Sequence, residues 1–336
     1  MTGGNTTARV SIVIPMFNEE DNVLPMLERL HQALETLPYP WEAILVNDGS
    51  SDATGTRMRD AQEKYGDHVR IINLQRNFGQ TAALQAGLDQ ARGDIIVTMD
   101  GDLQNDPNDI PRMVGRLVNE SLDLVAGWRA ARKDNLLIRK IPSQIANRLI
   151  GKITGVRIHD YGCTLKVYRA DVIKDVRLYG EMHRFIPAWA AAITDPARIK
   201  EEIVNHHARQ HGKSKYTLAR TFRVILDLLS VYFLMRYKSR PGHFFGSIGL
   251  LFGAVGTLAL FYLFFLKIFL GQDIGTRPLL IVGVLLVVVS VQFLTTGVLS
   301  ELIARTYYES SNSKAYVIHR ESSAPVTRPA AWKTTR

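Results

Sequence analysis

Two stretches near the carboxyl end restrict this chain more than any other feature. Phe244–Phe269 is almost wholly apolar, with Lys267 its only charged residue, and Leu279–Ser300 carries no charge. Each reaches the roughly 20 residues that an α-helix needs to cross a bilayer core. A pair of buried helices in a soluble domain fits these lengths poorly. The link between them, LGQDIGTR, is short, so the two spans read as a hairpin. Arg236, Lys238 and Arg240 precede the first span, and Arg305, Lys314 and Arg320 follow the second. The link offers only Arg277, beside Asp273. The excess of flanking cations predicts that both termini face the cytoplasm. The expectation is a multi-pass protein of the cytoplasmic (inner) membrane, carrying a cytoplasmic head over residues 8–240, a hairpin over 243–304 and a tail over 305–336. The polar start, MTGGNTTARV, lacks the long apolar segment of a signal peptide.

The head reads as alternating strands and helices. Val10–Ile14 is a β-branched run stopped by Pro15, and Asp21–Leu37 has helical spacing through Val23, Leu27, Leu30 and Leu34. Trp41–Val46 predicts a second strand, Ala53–Tyr65 a helix, and Val69–Leu74 a third strand. Gln80–Ala91 follows as a helix stopped near Gly93, then Asp94–Met99 as the fourth strand. Such alternation predicts an α/β fold with a mostly parallel sheet and helices on both faces. Ligand sites in these sheets lie at the carboxyl ends of the strands. Here those ends read PMFNEE, NDGSSD, NLQRNFGQ and DGDLQ. Two basic amphipathic stretches, about 136–154 and 216–237, suit helices lying on a lipid surface. Residues 321–336 are rich in Ser, Pro and Thr, which predicts disorder, and Ala315–His319 could form a last strand.

The fourth strand end concentrates the chemistry. Asp100 and Asp102, followed by Gln104, close an apolar run, and buried carboxylates this near one another repel and cost desolvation energy. A divalent cation would offset that cost. Mg²⁺ or Mn²⁺ accepts carboxylate, amide and phosphate oxygens together, and as a Lewis acid it stabilises a departing diphosphate. Two aspartates one residue apart are also common in plain acidic turns. Asp106 and Asp109, around Pro107, illustrate that reading as a cap for the next helix.

Specificity comes from combination. SIVIPMFNEEDN, VNDGSSDAT, NLQRNFGQTAAL and MDGDLQNDP occur in that order and together resemble glycosyltransferase family 2, whose members share the GT-A fold. The resemblance spans residues 10–240. DYGCTLKVYR and HGKSKY, followed by a transmembrane hairpin, narrow it to the polyprenyl-phosphate glycosyltransferases. That group contains dolichyl-phosphate mannose synthase and the bacterial glucosyl and aminoarabinose transferases.

The resemblance implies a UDP-sugar donor and roles for particular residues. Pro15, Asn18 and Glu19 would line the nucleotide pocket. Asp48 would accept from the uracil N3–H, or would simply form a turn before Gly49. Asn77 and Gly79 would sit beside the diphosphate, although Gly79 also suits a helix start. Asp100 would touch ribose or metal, with Asp102 and Gln104 as metal ligands. For the acceptor, polyprenyl (undecaprenyl) phosphate, it implies Arg129 and the pair Arg139 and Ser143. Arg209, Lys213 and Lys215 would form a loop closing over the diphosphate, with Gly212 as hinge. Charge alone agrees in part: seven cations lie between Arg129 and Lys152 against Asp134 alone, although a basic face toward anionic lipid would read the same way. The family displaces the nucleotide directly, with inversion. A phosphate acceptor is already an anion near neutral pH, so a general base has little to add. Asp160 is the carboxylate placed to orient acceptor or sugar, or else a structural one. Cys163, the single cysteine, reads as a small packed residue. His206, His207 and His211 share their stretch with Arg and Lys, so they read as phosphate-side or surface residues and not as metal ligands.

A processive polysaccharide synthase would share the head motifs, but the Q-x-x-R-W segment and additional spans are not visible. A non-catalytic scaffold or flippase subunit would have no need of intact acidic motifs. No G-x-G-x-x-G follows the first strand, which argues against a dinucleotide dehydrogenase. The net charge of +9 could suit nucleic acid, yet the cations gather near the membrane stretches. A homo-oligomer is compatible with a hairpin of this kind.

Overall fold

The structure is a computed structural model, and it describes residues 9–130, 150–151, 154–178, 180–207, 232–233, 237 and 240–310. The chain divides into two compact units, the first within Met1–Leu228 and the second within Leu229–His319.

The first unit is built on a seven-stranded sheet. Its strands are β1 (Val10–Met16), β2 (Trp41–Asn47), β3 (Val69–Asn73), β4 (Ile95–Thr98), β5 (Leu124–Trp128), β6 (Lys166–Arg169) and β7 (Ile199–Ile203). They lie in the order β3-β2-β1-β4-β6-β5-β7. All neighbours pair in parallel except β6, which runs antiparallel to both β4 and β5. The mostly parallel α/β arrangement expected from the alternation is therefore present. The antiparallel insertion is not something that the alternation foretold.

Among the described residues, six α-helices belong to this unit: α1 (Val23–Leu34), α2 (Thr54–Tyr65), α3 (Gln80–Gln90), α4 (Asp109–Asn119), and the short α5 (Ala170–Ile173) and α6 (Ile186–Ala190). Helix α1 buries Val23, Met26, Leu27, Leu30, Ala33 and Leu34, the stripe that a 3.6-residue period produces. This stripe and that of α4 (Ile110, Met113, Val114, Leu117) join Ile12, Ile14, Leu45 and Val97 in one core. Each fully buried Leu or Ile there contributes on the order of 2 kcal/mol. Helix α3 packs on the opposite face. A methyl at Gly87 would stand 2.3 Å from Val13 Cγ1, so glycine sets how closely α3 approaches the sheet.

Two expectations need correction. Pro15 does not stop β1, which continues to Met16. Val13 offers its carbonyl toward β4 and Met16 toward β2, so the imide nitrogen of Pro15 faces the β4 side. Strand β4 has already ended at Thr98, and no ladder bond is lost. Asp106 and Asp109 do not cap α4, whose N-cap is Asn108. Asp106 accepts from the Asn108 N–H at 3.0 Å within the turn. Asp109 is buried and accepts from Asn205 N at 2.7 Å, tying α4 to the exit of β7.

The second unit holds α7 (Pro241–Leu270) and α8 (Pro278–Ser310), which extend both expected spans and are long and apolar enough to cross a membrane. Leu258, Phe261, Ile281 and Ile303 are exposed on their outer faces, an arrangement suited to lipid and not to water. Where the helices meet, small residues recur every seven positions. Gly242, Gly249 and Gly256 lie against Gly297, Ser290 and Gly283 in turn. A methyl on Gly256 would be 3.0 Å from the Gly283 carbonyl, and so the backbones touch almost directly. The predicted surface helices, 136–154 and 216–237, fall largely outside the described residues, as does 315–319.

Candidate active site

The carboxyl ends of β1 to β4 open into loops that are stitched to one another. Asn18, held at φ 55°, accepts from Ser51 N at 2.9 Å and donates its own N–H to Ser50 Oγ at 3.0 Å. Glu19 N donates to Thr54 Oγ1 at 2.8 Å, and the Glu19 carboxylate accepts from Asn22. Asp48 joins the second loop to the third. Its two oxygens accept from Phe78 N at 2.8 Å and Gly79 N at 2.9 Å, and the residue is only 3% exposed. It is thus a cross-loop tie, and more than a simple turn-former. Gly49 makes the approach feasible. Its φ is +65°, and an added Cβ would lie 2.3 Å from the backbone carbon of Arg76. Asn77 is exposed on the resulting shelf, and Gly79 is the N-cap of α3.

Beside the shelf lie the acids after β4. Asp102 is buried and accepts from Gln104 N at 3.2 Å. Asp100 is half-buried and accepts from Gln80 Nε2 at 2.7 Å. Burial and the neighbouring Asp102 carboxylate push Asp100 up to about 6, against the opposing pull of Thr164, Arg129 and Lys166. The Asp100 and Asp102 carboxylates offer hard oxygen donors of the kind that fit Mg²⁺ or Mn²⁺. Among the described residues no cluster of three acids, histidines or cysteines could enclose an ion. The pair would therefore leave coordination positions for diphosphate oxygens and water.

Arg129 and Asp160 form a second centre. The guanidinium grips the carboxylate through Nε at 2.7 Å and an Nη at 3.0 Å. Burial raises Asp160, but Arg129 outweighs it and holds the carboxyl below its ordinary range. Burial likewise works against the Arg129 cation, and Asp160 more than restores it. In this structure the two residues thus serve each other, so Arg129 does not stand as a bare phosphate receptor. Of the remaining acceptor-side residues, Arg139, Ser143, Arg209, Lys213 and Lys215 lie outside the described residues, together with His211 and Gly212.

Three features escape the sequence reading. A cleft lined by Pro15, Gln80, Leu84, Thr98, Asp100, Thr164, Lys166 and His183 runs from the acids under α3. Lys166 is 1% exposed and donates to the Cys163 carbonyl, and burial lowers its proton affinity. His183 Nδ1 lies 2.6 Å from Thr81 Oγ1. A period-two pattern in CTLKVYR could have revealed Lys166. Cys163, Leu165 and Val167 join the main core, which turns Thr164 and Lys166 to the opposite face. His206 and His207 sit beside the acidic loop: His206 bridges to Asn105, and the exposed His207 donates its backbone N–H to the Gln104 carbonyl at 2.8 Å. Cys163 is buried, as a packed residue should be.

A mostly parallel sheet of this order, with paired aspartates leaving its central strand, defines a GT-A type glycosyltransferase. Solved structures agree on the fold. Glucosyl-3-phosphoglycerate synthase from Mycobacterium tuberculosis, in complex with Mn²⁺, UDP-glucose and phosphoglyceric acid, superposes with a TM-score of 0.54 at 18% identity, covering 67% of this chain and 80% of that one. The same enzyme has been solved with Mg²⁺ and UDP, again at a TM-score of 0.54. The chain belongs to Glycosyl transferase family 2, whose profile matches residues 11–177. It is 60% identical to dodecaprenyl-phosphate galacturonate synthase of Rhizobium johnstonii, over 93% of this chain and 92% of that protein. It is also 37% identical to undecaprenyl-phosphate 4-deoxy-4-formamido-L-arabinose transferase of Pseudomonas fluorescens, over 89% of this chain and 85% of that protein.

Proposed function

We propose that this glycosyltransferase moves one sugar from a UDP-sugar to a polyprenyl phosphate at the cytoplasmic face of the inner membrane, with inversion at the anomeric carbon. The observation that carries the reading is the Asp100–Asp102 pair, set at the strand end of a chain whose similarity to polyprenyl-phosphate enzymes runs on through the hairpin. The stitched shelf of Asn18, Glu19, Asp48 and Asn77 holds the nucleotide, Pro15 forms the cleft wall, and Asp100, Asp102 and Gln104 hold the cation. Bound Mg²⁺ or Mn²⁺ would supply Lewis-acid stabilisation of the departing diphosphate. Asp160 fixes the plane of Arg129, whose remaining N–H groups are offered toward the acceptor phosphate. Arg139, Ser143, Arg209, Lys213 and Lys215 complete the anion-binding set. Positioning and leaving-group stabilisation supply most of the acceleration, since the acceptor oxygen attacks as an anion. Both termini lie in the cytoplasm, and the hairpin anchors the head beside the lipid acceptor.

The test is transfer itself. The full chain in lipid nanodiscs, given radiolabelled UDP-sugar, a short polyprenyl phosphate and Mn²⁺, should move label into the organic phase as a single-sugar lipid. Labelled polymer would instead indicate a processive synthase, and no turnover with any donor would exclude the proposal.

A further inference from the structure

The cleft beneath α3 contains a cation that the transfer mechanism does not use. Lys166 opens β6, is 1% exposed, and lines the cleft with Asp100, Thr164 and His183. Among the described residues its ammonium donates to the Cys163 carbonyl. An ammonium has three donors, so that contact leaves two N–H groups. The surrounding charges are Asp100, Asp160 and Arg129. Arg129 and Asp160 neutralise each other in a two-point pair. Asp100 is the remaining counter-charge, and it is committed to the cation when the donor binds. A loaded site therefore leaves Lys166 as a buried ammonium lacking an anion of its own, which is a costly state.

We infer that Lys166 is a specificity-determining residue that selects a donor whose sugar bears a carboxylate, a nucleoside-diphosphate hexuronate. A carboxylate entering the cleft restores the missing counter-charge by a charge-assisted hydrogen bond to Nζ. A neutral hexose offers the ammonium no such counter-charge. The inference rests on the transfer reading above. The name of the 60% identical relative, a galacturonate synthase, is in keeping with it.

The experiment is calorimetric titration of the full-length protein in detergent with Mn²⁺, using UDP-galacturonate, UDP-galactose and UDP. Wild type should bind the uronate donor about tenfold or more tighter than the neutral one. Lys166→Met should bring that ratio close to one by weakening the uronate donor, while UDP alone binds as before, and Lys166→Arg should keep the preference. Equal affinity of wild type for both donors overturns the inference whether or not a variant folds, and so does a Lys166→Met protein that keeps the preference. Lipid-product formation is scored separately. Donor discrimination without any lipid product would sink the transfer reading and leave the role of Lys166 standing.

Discussion

Asp48 carries two backbone N–H groups on two oxygens while almost wholly buried, so its replacement is costly in a definite way. Asp48→Asn keeps one acceptor and turns an amide NH₂ toward a backbone donor. The expected loss is about 2 kcal/mol of head stability, with weakened UDP binding, read as a lower unfolding midpoint and a weaker titration. Gly49→Ala attacks the same junction from the other side. Its methyl would meet the backbone of Arg76 at 2.3 Å, and a backbone cannot swing aside as a side chain can. A cost of about 2 kcal/mol or more follows, by the same thermal measurement. At this scale the sequence was partly legible. The polar endings of the strands pointed to one edge of the sheet, and Pro15 and Asp100 line a cleft there. What Asp48 and Asp160 hold was not legible, because their partners are a backbone 30 residues away and a guanidinium 31 residues away. No local pattern encodes such contacts.

The first three helices, the two apolar spans and the first four strands followed from hydrophobic period and turn residues, with boundaries shifted by a few residues. Strand β6 was missed because KVYR offers a lysine and an arginine where a central strand normally shows apolar side chains. It lies between β4 and β5, and Lys166 is buried. At the other end of the sheet, Glu42 on β2 accepts from Ser11 Oγ, Arg92 N and Arg70. Burial raises its carboxyl, and these hydrogen bonds outweigh burial and hold it below 4.5. The folded value lies below the unfolded one, so the contribution to stability is complete above about 4.5 and disappears as pH falls through the folded value. Glu42→Gln should therefore flatten the acid limb of the unfolding profile below that pH; an unchanged acid limb would refute the assignment. The hairpin permits a register test. A Cβ built on Gly253 stands 3.4 Å from Ser290 Cβ, near the separation a disulfide spans. In a Cys163→Ala background, Gly253→Cys with Ser290→Cys should cross-link on mild oxidation, seen as a mobility shift reversed by reductant.

The whole molecule combines a glycosyltransferase head with two helices long and apolar enough to cross a membrane. The two apolar runs and the strand–helix alternation told most of this from sequence, since each is a repetitive pattern tens of residues long. Charge placement alone could not separate a phosphate site from a basic face toward anionic lipid. The acids bear on the proposed donor site instead: burial and the neighbouring Asp102 raise Asp100, and a bound divalent cation would relieve that cost. The most direct test is the affinity of the full chain for UDP, measured by calorimetry with Mn²⁺ and again in excess chelator. Mn²⁺ should tighten UDP binding by about tenfold or more in the wild type and have no such effect in a folded Asp102→Ala protein. Equal UDP affinity with and without chelator in the wild type would contradict the account.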